Sequence, residues 1–326
     1  VDDSFFDLGG DSISAMRLIA AINTSLGADL SVATLFEAPT VRSLSQRLHT
    51  GATSLPEVLP VQTLKTGTGV PLFCIHPGSG VSWPYQVLGH YLDCPIIGIQ
   101  RTPQGGEGEP ASIREMAKNY ADRIQRIHPT GPYNLLGWSF GGVVAHEIAV
   151  ELRRRGCAVG RLVVLDAQPT DSNVPLPDHA VGEKDILKEV LRFYRMDIPD
   201  DEELLTYERV EQLVRERGEA EFPRYRQLLN QIVQNTNSNM ALYRAHEPGV
   251  FDGDMVVFSA ARNDSERNVS LRQSWRRYVA GHIAVHPVDC THQEMLTAES
   301  LARYGDQLKH SLLAEDPPGA AARCDD

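Results

Sequence analysis

No apolar run in the sequence approaches the roughly 18 residues that a bilayer-crossing helix needs. The chain opens on Val1, Asp2 and Asp3, with no basic start of the kind that leads a secretory signal. A chain without a membrane segment is therefore expected, working in the cytoplasm. Cysteine is sparse: Cys74, Cys94, Cys157, Cys290 and Cys324 are scattered, with no CxxC spacing and an odd count. That argues for free thiols and against a disulfide or zinc framework, so no metal is expected. Basic charge is also in deficit, with Lys+Arg 31 against Asp+Glu 43 and a formal net charge of −12. Phosphate backbones need a basic face, so nucleic acid is not an expected partner. What remains, 326 residues of which 42% are hydrophobic, suits one α/β domain of two hundred or more residues beside something smaller.

The chain is organised around residues 132–146, Pro-Tyr-Asn-Leu-Leu-Gly-Trp-Ser-Phe-Gly-Gly-Val-Val-Ala-His. An apolar run, a GxSxG turn and a helix start follow one another there, which is the pattern of a nucleophile elbow. The turn thrusts its serine clear of the sheet, and Gly137, Gly141 and Gly142 keep the crowded backbone free of clashes. Ser139 is the candidate nucleophile. After it, Val144, Ile148 and Leu152 recur at helical spacing, Arg153 to Arg155 face the negative end of the helix dipole, and Gly156 supplies the stop.

Upstream, residues 72–75 form a short apolar run that ends in His76-Pro-Gly-Ser-Gly80, a strand feeding a glycine loop. In the α/β-hydrolase pattern that loop supplies one oxyanion-hole amide and the residue after the nucleophile supplies the other. These are assigned to Ser79, with Gly78 as the near alternative, and to Phe140. His76, at a strand end, is read as structural. Residues 95–99 make another strand, and Ser112 to Glu115 a capping box ahead of an amphipathic helix that Pro129 stops. With the strand at 162–165 the alternation predicts a mainly parallel sheet with helices on both faces.

Asp166 stands at the carboxyl edge of that last strand, where a carboxylate can orient a histidine. Its competitor is Asp264, after the strand at 255–258. From Ala167 to Pro248 the alternation lapses into helical spacing among many charges, the pattern of a lid inserted at the site edge. His292 follows the final strand, 283–290, and precedes a terminal helix reaching about Leu313. The order Ser139, Asp166, His292 is that of α/β hydrolases, and of the 11 histidines His292 is the one that position selects.

At the other end, Phe5-Phe-Asp-Leu-Gly-Gly-Asp-Ser12 leads into Met16, Ile19, Ile22 and Leu26 at helical spacing. Asp11 is placed to cap that helix, which puts Ser12 in its first turn, facing unpaired N–H groups and the positive end of the dipole. The string resembles the core motif of peptidyl carrier domains of nonribosomal peptide synthetases, and residues 35–41 with Leu44 resemble the later helices of that bundle. The resemblance implies a small all-α carrier lacking its first helix, with 4′-phosphopantetheine carried on Ser12.

Residues 76–83, 97–100, 131–142 and 289–292 resemble the terminal thioesterases of the same synthetases. The organisation expected is a carrier at 1–49, a linker at 50–58, an α/β-hydrolase thioesterase domain at 59–314 with its lid at about 168–248, and a disordered tail at 315–326. A carrier fused ahead of a thioesterase implies peptide release by hydrolysis or macrocyclisation. The implied partners are upstream condensation and adenylation domains, a phosphopantetheinyl transferase, a peptidyl thioester substrate and a proofreading thioesterase. The alternatives are a stand-alone esterase or proofreading thioesterase, and an inactive docking module.

Overall fold

A computed structural model of the chain describes residues 58–103, 107–170, 205–216, 222–262 and 267–313 throughout, most of 1–48, and scattered positions within 182–199. Asp11, Asp264, positions 50–57 of the expected linker and the expected tail lie outside the described residues. The chain divides into two compact units, one of Val1–Val58 with Pro175–Ser238 and one of Leu59–Val174 with Asn239–Asp326.

The second unit is built on a seven-stranded sheet of β1 (Val61–Lys65), β2 (Leu72–Ile75), β3 (Ile96–Ile99), β4 (Tyr133–Trp138), β5 (Val159–Leu165), β6 (Met255–Ala260) and β7 (Ile283–Val288). Their spatial order is β1-β3-β2-β4-β5-β6-β7. Only the edge pair β1–β3 is antiparallel; every other pair is parallel. Central parallel strands are covered on both faces, which is why Leu72 to Ile75 are all apolar and all buried. β1 escapes that rule. Its inward positions are Gln62 and Leu64, and Gln62 earns its burial by accepting from Trp83 Nε1 at 3.0 Å and from Gln100 Nε2 at 3.1 Å. No hydrophobic run announces such a strand.

Between the strands stand helices Ile113–Ile127 and Phe140–Arg154. Ser112 caps the first, its side chain accepting from the Glu115 N–H at 3.1 Å, which is one half of the expected capping box; the Glu115 carboxylate reaches one residue further back and accepts from the Ala111 N–H at 2.8 Å. Of the second, every residue from Phe140 to Ala149 is buried, so this helix packs as core. The register pairs Ile75 with Gly137 and Gly137 with Val164. The carboxyl ends of β2, β4 and β5 therefore meet at one edge of the sheet.

In the first unit, helices Ser12–Leu26 and Val41–Leu48 bury Ala15, Ile19 and Leu44. Leu26, although on the periodic stripe, is 63% exposed. The helix is already ending there: Gly27 takes φ 60°, and the buried Asn23 side chain both accepts from the Leu30 N–H (2.8 Å) and donates to its carbonyl (2.9 Å). The segment between β5 and β6 carries helices Tyr207–Glu216 and Phe222–Arg244. Leu187, Leu191, Leu205, Tyr207 and Val210 form an apolar cluster there, with Met196 and Leu213 against it. Among the described residues no helix is long and apolar enough to cross a membrane.

Candidate active site

Ser139 sits at the turn between β4 and helix Phe140–Arg154 with φ 57° and ψ −128°, a conformation that side-chain-bearing residues avoid. Two backbone bonds hold it there: its N–H donates to Leu165 O at 3.0 Å, and its carbonyl accepts from the Gly142 N–H at 2.9 Å. The flanking glycines are steric necessities. A Cβ on Gly137 would collide with the Gly141 backbone, one on Gly141 with the carbonyls of Ile75 and His76, and one on Gly142 would stand 2.6 Å from Ala167 Cβ.

One strand over, Asp166 also has a positive φ, 44°, and its side chain is fully buried. The carboxylate is held from two sides. Oδ1 accepts from the Ala260 N–H at 3.0 Å, and Oδ2 stands 2.7 Å from His292 Nδ1. A buried carboxylate at that distance takes the Nδ1 proton as its partner, which leaves Nε2 as the acceptor nitrogen of the ring.

His292 opens a short 3-10 turn, His292–Glu294, closed by a reciprocal capping box between Thr291 and Glu294. Arg262 braces that turn, with Nη1 2.6 Å from Glu294 Oε2 and Nη2 2.9 Å from the Asp289 carbonyl. Trp138, the residue before Ser139, donates from Nε1 to the His292 carbonyl at 3.1 Å and stacks at a tilt, ring centroids 5.4 Å apart. The histidine loop is thus tied to the elbow by the elbow's own tryptophan.

His76 is fully buried. Its Nδ1 donates to the Pro77 carbonyl at 2.8 Å, and its Nε2 accepts from the Tyr120 hydroxyl at 2.7 Å. Both nitrogens are used by the neutral ring, and burial pushes its pKa down to about 3. The unfolded chain binds this proton near pH 6.5 and the folded chain does not, so stability is full above about pH 6.5 and falls as pH drops toward 3, by roughly 1.4 kcal/mol per unit. The thermal midpoint, measured from pH 7 to 4, is expected to fall with acid. In His76→Gln, which has nothing to titrate there, the fall is expected to be shallower. Buried His146, held down to about 4, contributes to both proteins alike.

Comparison with known proteins decides the family. Residues 70–308 match the model of the thioesterase domain, and residues 1–48 match the phosphopantetheine attachment site. The chain belongs to the thioesterase domain family. It is 34% identical over 319 residues to a dimodular nonribosomal peptide synthase of Bacillus subtilis, covering 96% of this chain and 13% of that one. It is 29% identical over 320 residues to enterobactin synthase component F of Escherichia coli, covering 95% of this chain and 23% of that one. The chain thus spans under a quarter of the length of these relatives. Among solved structures, the NocB thioesterase domain from the nocardicin cluster is 25% identical with a TM-score of 0.57, covering 78% of this chain and 99% of that one. A four-domain nonribosomal peptide synthetase, holo-AB3403, superposes with a TM-score of 0.66 at 24% identity, over 97% of this chain and 25% of that one. The sheet, its elbow and the helical insertion are accordingly the α/β-hydrolase fold of a thioesterase domain.

Around that domain's candidate site, Tyr85 is among the side chains that sequence reasoning missed. Tyr85 is fully buried, and its hydroxyl donates to the Ile75 carbonyl at 2.6 Å while accepting from the Trp138 N–H at 2.8 Å. Those groups lie at the ends of β2 and β4, one at the root of the glycine loop and one just before Ser139, so one phenol joins the two halves of the site. Burial raises its pKa well above the phenolic value, and it remains a donor. An aromatic ring in an apolar stretch reads as core in any sequence; only the strand ends reveal the bridge. Of the carrier residues, Ser12 begins helix Ser12–Leu26, whose first turn has no acidic side chain.

Proposed function

We propose that the chain is the release unit of a nonribosomal peptide synthetase, in which Ser139 accepts the acyl group of a peptidyl thioester and passes it to water or to an amine or hydroxyl of the same peptide. The observation that carries this reading is the 2.7 Å contact of His292 Nδ1 with the buried Asp166 carboxylate, beside a serine on a strained elbow. With Asp166 ionised, His292 Nε2 takes the Ser139 proton while Oγ bonds to the acyl carbon. The carbonyl electron pair moves to oxygen, where the Phe140 and Ser79 amides receive it. Collapse expels the thiolate, and the proton on His292 neutralises it. The resulting ester on Ser139 is opened by the second nucleophile, whose proton goes to His292 and from there to Ser139 Oγ as the acyl–oxygen bond breaks.

Phosphopantetheine attached to Ser12 supplies a long arm ending in the thiol that bears the acyl group as a thioester. Ser12 suits that attachment, because a phosphodiester at the start of a helix whose first turn carries no acidic side chain meets unpaired N–H groups and the positive end of the dipole. Upstream condensation and adenylation domains would build the peptide, a phosphopantetheinyl transferase would load Ser12 in the cytoplasm, and a proofreading thioesterase would clear misloaded arms.

Acid quenching during turnover of a thioester, followed by peptide mapping, tests this reading. One acyl adduct is expected, on the peptide containing Ser139, and transferase with coenzyme A is expected to add phosphopantetheine to the peptide containing Ser12. Turnover with the acyl group on another residue, or with none, overturns the covalent route.

A further inference from the structure

We propose that Asn239 is a positioning residue for release: by holding the Gly78 carbonyl it aims the Ser79 N–H at the oxyanion. The inference rests on the reading of Ser139 as nucleophile.

Asn239 lies near the end of helix Phe222–Arg244 and is completely buried. A primary amide in that position needs partners for both ends. Its Nδ2 donates to Gly78 O at 2.8 Å, and its Oδ1 accepts from the Arg101 guanidinium. Only the oxygen can face a guanidinium, so the amide's orientation is fixed. Arg101 is itself anchored, its side chain 5% exposed and paired with Glu109 at 3.0 Å. The Arg101 main-chain N–H also donates to Gly80 O at 2.9 Å. Two carbonyls of the glycine loop, those of Gly78 and Gly80, are therefore gripped from outside the loop.

The Gly78 carbonyl and the Ser79 N–H are opposite ends of one planar trans peptide group, so fixing one fixes the other. The guanidinium polarises the asparagine amide, the amide polarises the Gly78–Ser79 peptide, and the Ser79 N–H becomes a better donor as a result. The rival donor, the Gly78 N–H, belongs to the neighbouring peptide. That peptide's carbonyl, Pro77 O, is held separately by the Gly80 N–H at 3.0 Å and by His76 Nδ1 at 2.8 Å. Substitution at Asn239 therefore separates the two candidates.

The test uses the full chain with Asn239→Ala and Asn239→Asp, the latter keeping shape and the Arg101 contact while losing the donor to Gly78 O. Active protein is counted by fluorophosphonate labelling of Ser139, so that misfolded material does not enter the rates. For an acyl thioester, kcat is expected to fall roughly 10- to 100-fold, with KM within about threefold of the parent. A peptidyl trifluoromethyl ketone, whose tetrahedral adduct places an oxyanion in the hole, is expected to lose affinity by the same factor as kcat. The matching amide analogue, a ground-state mimic, is expected to bind as before. Unchanged kcat and ketone affinity in Asn239→Asp would assign the hole to another amide. Equal weakening of ketone and amide would reduce Asn239 to a structural role. Either result overturns the proposal and leaves the nucleophile in place, whereas parental turnover by Ser139→Ala sinks the reading of the site itself.

Discussion

Ser139→Ala is expected to lower acyl release by a factor on the order of 10⁴ to 10⁶ while leaving the fold intact. In the proposed route the hydroxyl is the atom that bonds to the acyl carbon, and no neighbouring side chain on the elbow can replace it. Stability should move independently of rate at this position. Ser139 is held at φ 57° and ψ −128° by its bonds to Leu165 and Gly142, and such a conformation costs a residue with a Cβ about 1 to 3 kcal/mol. Ser139→Gly removes that cost, offset in part by the freedom glycine gains in the unfolded chain. The glycine variant is therefore expected to be as inactive as Ser139→Ala and to melt at a higher temperature than either alanine variant or parent. Release rates by thioester hydrolysis and midpoints by calorimetry check both halves. A glycine variant that melts below the parent means that the elbow is not strained, and a Ser139→Ala protein within tenfold of the parent rate removes the nucleophile.

How far the site could be read from the chain follows from the range of the interactions involved. The elbow was legible because its constraint is local: each of Gly137, Gly141 and Gly142 faces backbone or side chain that leaves no room for a Cβ, and the three glycines are within six positions of one another. The central strands were legible because burial on both faces demands continuous apolar runs. The place of His292 in the chain, just after the last strand, was legible by position alone. Its contact with Asp166 spans 126 residues, and only topology brings the two together.

What escaped were polar side chains that work far from their own place in the sequence. Gln62 on β1 answers Trp83 and Gln100, so an inward strand position carries an amide and the strand loses its hydrophobic signature. Asn239 reaches Gly78 across 161 positions and Arg101 across 138. Asparagine in a polar stretch of helix reads as surface, and nothing local distinguishes one that is buried to satisfy a distant carbonyl. Arg123 is the same case. It is 3% exposed, it donates to the Gln100 and Thr102 carbonyls at 2.9 and 2.8 Å, and its guanidinium lies 4.9 Å from the centre of the Tyr120 ring that also bonds His76. Buried arginines and amides behind the glycine loop form a polar layer whose members are each ordinary in sequence and meet only in space.

Asp166→Asn is expected to slow release by about 10⁴, and the reason lies in the Ala260 N–H. That donor points at Oδ1 of the native carboxylate from 3.0 Å. In the variant the asparagine must turn its carbonyl oxygen toward Ala260, because placing its NH₂ group there would set donor against donor in a buried site. The NH₂ group then faces His292 Nδ1, in the place of the oxygen that stood 2.7 Å away. Nδ1 must now accept, the ring proton moves to Nε2, and the nitrogen that should take the serine proton is already occupied. The variant keeps its shape and loses the tautomer. Part of the rate is expected to return at high pH, where hydroxide can deprotonate the ring or the serine directly, so the pH profile of kcat should keep rising where the parent levels off. Asp264→Asn, at the competing position after β6, is expected to stay within about threefold of the parent, since the Asp166 carboxylate already stands at His292 Nδ1 and a substitution that removes no transition-state contact leaves the rate unchanged. If Asp264→Asn instead shows the larger loss and Asp166→Asn turns over normally, the carboxylate that orients His292 belongs after β6 and the contact at Asp166 is structural.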